Sequence, residues 1–225
     1  MKPELLIDSS LDPCPTLPAL VWAEGLATTH HAEGTPPFIA EILSRVKEAG
    51  DHFLPDETKQ AVRQMLKFGK YRASGRGKPA SEFLLGAALG GGFPLINGPV
   101  DVNNAVSLES GYPGSIFDMD RSGEVLLLRR GLPGESYVFN PSGQSIDLAD
   151  LLLLCRRQGE TWEPCGNPVK DAMATKIGEG SRHVIAVLYA PRREDPSRVE
   201  RFARRFAELL RSHCGAVHSE YRLIL

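Results

Sequence analysis

Gly90-Gly91-Gly92 punctuates the first half of this chain. A helix does not continue comfortably through three residues that lose so much backbone freedom on ordering. The residues that follow, Phe93-Pro94-Leu95-Ile96-Asn97-Gly98-Pro99-Val100-Asp101-Val102-Asn103-Asn104-Ala105-Val106-Ser107-Leu108, are too apolar for an ordinary surface loop. Gly and Pro give backbone shapes that other residues resist. Asn side chains add donors and acceptors without charge. A turn that feeds neutral polar groups into the start of a helix is suited to lining a pocket. With residues 100–110 read as a helix, Asn103 and Ser107 are four apart on one face, and Asn104 lies beside them.

The 225 residues suffice for one large domain or two small ones. With 42% apolar and 24% charged residues, an ordinary core is expected. A net charge of -2 excludes a strongly basic, nucleic-acid-binding character for the chain as a whole, though not a local basic patch. Such a patch is present at 67–79, a glycine-rich stretch carrying Lys67, Lys70, Arg72, Arg76 and Lys78. The N-terminal apolar run is too short for a signal peptide, and no segment approaches the roughly 20 apolar residues of a membrane span. The expectation is a cytoplasmic protein with reduced thiols and no membrane partner.

Residues 5–7 and 19–23 read as strands, and the prolines between them argue against regular pairing there. Thr35-Pro36-Pro37 signals a helix start, followed by Phe38, Ile39, Ile42, Leu43 and Val46 at helical spacing up to Gly50. A second helix is expected after Pro55 with Asp56 as its cap, and a third over 80–89. Residues 124–130, 136–139 and 182–189 read as strands. Residues 148–154 are too apolar for periodicity to decide between helix and strand, and 162–173 reads as a turn-rich insert. Val199, Phe202, Phe206, Leu209 and Leu210 place a helix over 195–213, started by Asp195 or Ser197, and 216–225 closes as a strand. Helices dominate the first half and strands the second, which predicts an α+β fold with a mixed or antiparallel sheet and packed helices. Residues 1–66 read as an α/β extension packed on a main body of 67–225.

Chemistry is scarce outside the opening segment. No GxSxG nucleophile elbow and no phosphate-binding glycine loop occurs. Cys14, Cys155, Cys165 and Cys214 form no CxxC pair, which excludes a zinc ribbon or thioredoxin motif. Cys155 and Cys165 read as core residues. The adjacent His30-His31 lacks metal-ligand spacing. The arginines of the late helix alternate with Glu200 and Glu208 as a solvated face would. What remains is Asp101, Asn103, Asn104 and Ser107, as either caps and turn-makers or pocket walls. None is a strong nucleophile, so they suit the positioning of a water or an amino acid.

The blocks Tyr71-Arg72-Ala73-Ser74, Gly91-Gly92-Phe93-Pro94-Leu95-Ile96-Asn97, Val100 through Leu108, and Gly111-Tyr112-Pro113-Gly114-Ser115-Ile116-Phe117-Asp118 together resemble the editing domain of the phenylalanyl-tRNA synthetase beta subunit, its free-standing relatives above all. Ala174-Thr175-Lys176-Ile177-Gly178-Glu179 resembles that family's late motif. The resemblance covers about 68–189. It implies an α/β module that binds misacylated tRNA and hydrolyses the amino-acid ester, without metal or cofactor. Together with the polar cluster it points to Asn103, Asn104 and Ser115 for catalysis and to Asp101, Ser107, Asp118, Thr175 and Glu179 for contact with the amino-acid moiety, and the basic Arg72, Arg76 and Lys78 are expected to meet the tRNA. Ser115 stands where bacterial synthetases often carry a histidine. Class II aminoacylation motifs and the length of the synthetase scaffold are absent, so the chain is not expected to aminoacylate. The alternative is a non-catalytic module of the same fold that binds an RNA end, an amino acid or a related small molecule.

Overall fold

The structure is a computed structural model that describes residues 2–27 and 34–225; His30-His31 lies outside the described residues. The elements run β1 (Glu4–Ile7), β2 (Thr16–Glu24), α1 (Pro37–Ala49), α2 (Asp56–Leu66), α3 (Ala80–Leu89), α4 (Gly98–Ser110), β3 (Gly114–Asp118), α5 (Met119–Ser122), β4 (Val125–Arg130), β5 (Ser136–Val138), β6 (Ser145–Asp147), β7 (Leu152–Gln158), β8 (Thr161–Gly166), β9 (His183–Pro191), α6 (Pro196–Cys214) and β10 (His218–Leu223), with short 3-10 turns between some of them.

One sheet has the order β10-β2-β9-β3 and is antiparallel throughout. A second, β1-β4-β7-β8, is mixed, with β1 parallel to β4 and the remaining pairs antiparallel. β5 and β6 form a small hairpin. The fold is therefore α+β, with mixed and antiparallel sheets and packed helices.

β2 and β9 are interior strands, so nearly every side chain on both is buried, and their sequences are apolar rather than alternating. Apolar residues of both sheets, among them Leu20, Val187, Leu126 and Leu154, belong to one core. α6 lies against β10 and β2 and turns Val199, Phe202, Phe206 and Leu210 inward. Its start is capped by Asp195, which accepts the Ser197 N–H at 3.0 Å, and it ends at Gly215 in a left-handed conformation.

α4 is buried on most sides, between α6, α3, α1 and β3. Val102 and Val106 join the main core, while Ala105 and Leu108 join a second one with Ile39, Ile42 and Leu84. This explains why the polar side chains of α4 form no separate solvent-facing stripe.

The structure differs from the sequence expectations in several places. Thr16, Leu17 and Pro18 pair with β9 despite the proline. The Pro18 carbonyl accepts the Ile224 N–H, so its missing donor also faces the end of β10 and leaves the β9 ladder intact. Pro55, not Asp56, occupies the cap of α2, and Asp56 is the first helical residue. Residues 162–166 belong to β8 rather than to a turn-rich insert. The 148–154 stretch divides at Asp150, whose φ of 66° makes a turn before β7. Residues 1–66 interleave with the rest, since β1 hydrogen-bonds to β4 and β2 lies between β10 and β9.

Candidate functional site

A cavity of ≈ 380 Å³ opens where α3, α4, the start of β3 and the loops after β8 converge. Phe83, Leu84, Pro94, Ile96, Val100, Ile116, Val169 and Ile177 supply apolar wall; Asn97, Asn103, Asn104, Asn140, Asn167, Lys170, Asp171 and Lys176 supply the polar groups. Mostly apolar walls with a few convergent polar side chains are the usual makeup of a small-molecule site.

The turn before α4 builds the first wall. Asn97 caps the helix, its Oδ1 accepting the Val100 N–H at 3.1 Å. Buried Asp101 reaches back one turn, and its Oδ1 accepts the Ile96 N–H at 2.6 Å. These two bonds hold the chain reversal that brings Asn103 and Asn104 to the cavity. Asn103 donates from Nδ2 to the Gly114 carbonyl at 3.3 Å and to Asn104 Oδ1 at 3.4 Å. The Gly114 carbonyl can only accept, which fixes the orientation of the amide. Its Oδ1 is then enclosed without a hydrogen-bond partner among the described residues. A Cβ at residue 114 would stand 2.5 Å from that oxygen, so the glycine is what admits the Asn103 side chain.

The second wall is the turn after β8. Asn167 Oδ1 accepts the N–H groups of Val169 at 2.8 Å and Lys170 at 2.9 Å, and its Nδ2 donates to the Tyr137 hydroxyl at 2.5 Å. Tyr137 in turn donates to the Lys170 carbonyl at 2.6 Å. Asp171 follows, its Oδ2 accepting the Ile116 N–H at 3.3 Å across the cavity floor. Burial raises the Asp171 carboxyl to about 7, against the pull of the nearby Ser115 hydroxyl, the backbone N–H groups around it and the Lys176 charge.

Of the residues singled out by sequence, Asn103 and Asn104 line the cavity. Ser115 lies behind its wall, buried, with its Oγ 3.0 Å from the Tyr189 hydroxyl and 3.4 Å from the Asn167 carbonyl. Ser107 is buried within α4 and is not part of the cavity lining. Asp118 caps α5, accepts the Ser181 hydroxyl at 2.6 Å and pairs with Arg121 at 3.4 Å. Thr175 is buried and donates to the Cys165 carbonyl at 3.4 Å, while its neighbours Lys176 and Ile177 reach the cavity. Glu179 is exposed in the loop beyond, where its carbonyl accepts from Arg182. Arg72 is exposed and donates to the Gly69 and Tyr71 carbonyls.

Arg76 lines an adjoining cleft of ≈ 880 Å³ that shares Phe139 and Lys170 with the cavity. Lys170 Nζ stands 3.9 Å over the Phe139 ring. Lys78 Nζ stands 5.9 Å over Phe83, a ring 58% exposed at the cavity edge. The basic groups thus gather at the border of the cavity. Asp171, Asn167, Lys170 and Lys176 were not singled out by sequence. The signal available was Cys165-Gly166-Asn167-Pro168, a turn-forming polar residue set directly after an apolar strand end. Among the described residues, no group of three His, Cys, Asp or Glu side chains is arranged to hold a metal ion.

No protein-family model matches the chain, and no curated protein matches its sequence. Among solved structures it is similar to an N-terminal fragment of the phenylalanyl-tRNA synthetase beta subunit from Pyrococcus horikoshii, at 9% sequence identity and a TM-score of 0.48, over 97% of this chain and 50% of that one. The chain therefore spans half the length of that fragment. Among the described residues no helix is long and apolar enough to cross a membrane.

Proposed function

We propose that the cavity receives the amino-acid moiety of an aminoacyl-tRNA and that the protein hydrolyses the ester joining the two, without aminoacylating tRNA itself. The observation that carries this reading is the Asn103–Asn104 amide pair set into a cavity of ≈ 380 Å³ with largely apolar walls. That volume suits an amino-acid side chain and the ester beside it. Neutral amides do not attack an ester, but they orient its carbonyl and a water. An ester is already activated, so positioning and pre-organised dipoles supply much of what its hydrolysis needs. Lys170, Lys176 and Lys78 near the cavity, with Arg76 in the adjoining cleft, are of the type that meets phosphate. The sequence blocks around Asn97, Asn103 and Gly114 support the same reading through their resemblance to an editing domain.

Asn104→Ala is expected to slow hydrolysis of misacylated tRNA at least about tenfold, equivalent to roughly 1.4 kcal/mol of lost transition-state positioning. Release of the amino acid is followed against the spontaneous rate. An unchanged enzymatic rate in the variant overturns the reading.

A further inference from the structure

Among the described residues that line the cavity, Asp171 is the one acidic side chain. It is seated by a close approach that only glycine allows. A Cβ at Gly166 would stand 2.6 Å from Asp171 Oδ1 and 2.4 Å from the Phe117 ring. One carboxyl oxygen is fixed by the Ile116 N–H, and the other is enclosed without a hydrogen-bond partner among the described residues. Lys176 is the cation that acts on it. The other titratable groups facing it are Tyr137, Tyr189 and Cys165, each pushed well above its ordinary range by burial and therefore neutral at pH 7. Among the described residues, no arginine pairs with this carboxylate, unlike Glu135, which is bound by Arg129. An acid in no ion pair with an arginine, fixed at one oxygen and lining the same cavity as Asn103 and Asn104, is placed to exchange a proton with the cavity's contents.

We propose that Asp171 is the general base of this cavity, a role that rests on reading the cavity as an aminoacyl-ester site. The water oxygen bonds to the acyl carbon as one of its protons passes to the Asp171 carboxylate. The tetrahedral adduct then breaks its bond to the ribose oxygen, which takes that proton back. The products are a free amino acid and a tRNA with a free terminal hydroxyl, and Asp171 returns to its carboxylate form. Ser115 is a positioning residue: its hydroxyl, 3.0 Å from that of Tyr189, lies near the carboxyl and favours its charged form. A base that titrates near the working pH both takes and returns a proton efficiently.

The test follows amino-acid release from a panel of aminoacyl-tRNAs by the 225-residue chain and its Asp171→Asn and Ser115→Ala variants, from about pH 5 to about pH 9, with the spontaneous rate subtracted. Wild-type kcat is expected to rise through a midpoint near 7. Asp171→Asn is expected to lower kcat by about a hundredfold, to leave KM within about twofold, and to abolish the rise. Ser115→Ala is expected to keep the rise and move its midpoint to higher pH. Asp171→Asn with wild-type kcat and an unchanged rise overturns the assignment and leaves the ester-site reading standing. No release by the wild-type chain from any member of the panel overturns both. Should Asp171→Asn fold poorly, the Ser115→Ala midpoint decides, and an unmoved midpoint overturns the assignment.

Discussion

Gly114 and Gly166 are the residues on which the cavity's polar groups depend. Each leaves room for a neighbour's oxygen, Asn103 Oδ1 in one case and Asp171 Oδ1 in the other. The second has a thermodynamic consequence. Asp171 titrates near 7 in the folded protein against 3.8 for an ordinary aspartate, so between those values the native state binds a proton that the unfolded state has lost. Stability from this group is complete below about pH 4 and declines as the pH rises through 7. Asp171→Asn removes the ionisation. The variant should therefore gain stability relative to wild type between about pH 4 and about pH 8, by an amount on the order of a few kcal/mol. Urea unfolding at the two pH values measures this, and parallel pH dependence in the two proteins contradicts it. The side chain itself was not legible in the sequence. Its contact with Ile116 joins positions 55 residues apart, and nothing local to Lys170-Asp171 announces a cavity.

At the scale of elements, α4 presents Asn103 and Asn104 because its first turn is tied down. Replacing Asn97 by Ala removes the cap bond to Val100 and is expected to destabilise the fold by about 1 kcal/mol, measured by denaturant titration. No change would mean that Asp101 holds the turn unaided. The helices were largely legible: residues 80–89 match α3, and the Phe202–Phe206–Leu210 stripe with Asp195 places α6, because period and caps are local properties. α4 was legible through Asn97-Gly98-Pro99, although its burial on most sides removes any amphipathic stripe. The strands were less so. β3 contributes Gly114 and Ile116 to the site, yet its five residues follow Pro113 and show no alternation, since both faces are covered. β8 was hidden by Pro164 and Gly166, residues that argue against a strand unless its place in the sheet is known.

At the scale of the whole molecule, the cavity belongs to no single segment. α3 and α4 form one side; the ends of β3 and β8, the Phe139–Asn140 turn of the β5–β6 hairpin and the loop carrying Lys176 form the rest. The first 66 residues contribute by packing, since β2 supports β9, and β9 in turn holds β3 in register with Ser115 opposite Val187. Among the described residues, such a construction places neutral amides, one acid and lysine side chains around an apolar volume, which is what the proposed ester site requires. The most direct measurement is the time course of amino-acid release from a panel of correctly and incorrectly charged tRNAs incubated with the purified chain. The account predicts release well above the spontaneous rate for at least one misacylated tRNA, reduced at least about tenfold by Asn104→Ala. Binding of aminoacyl-tRNA with release at the spontaneous rate for every member of the panel would contradict it.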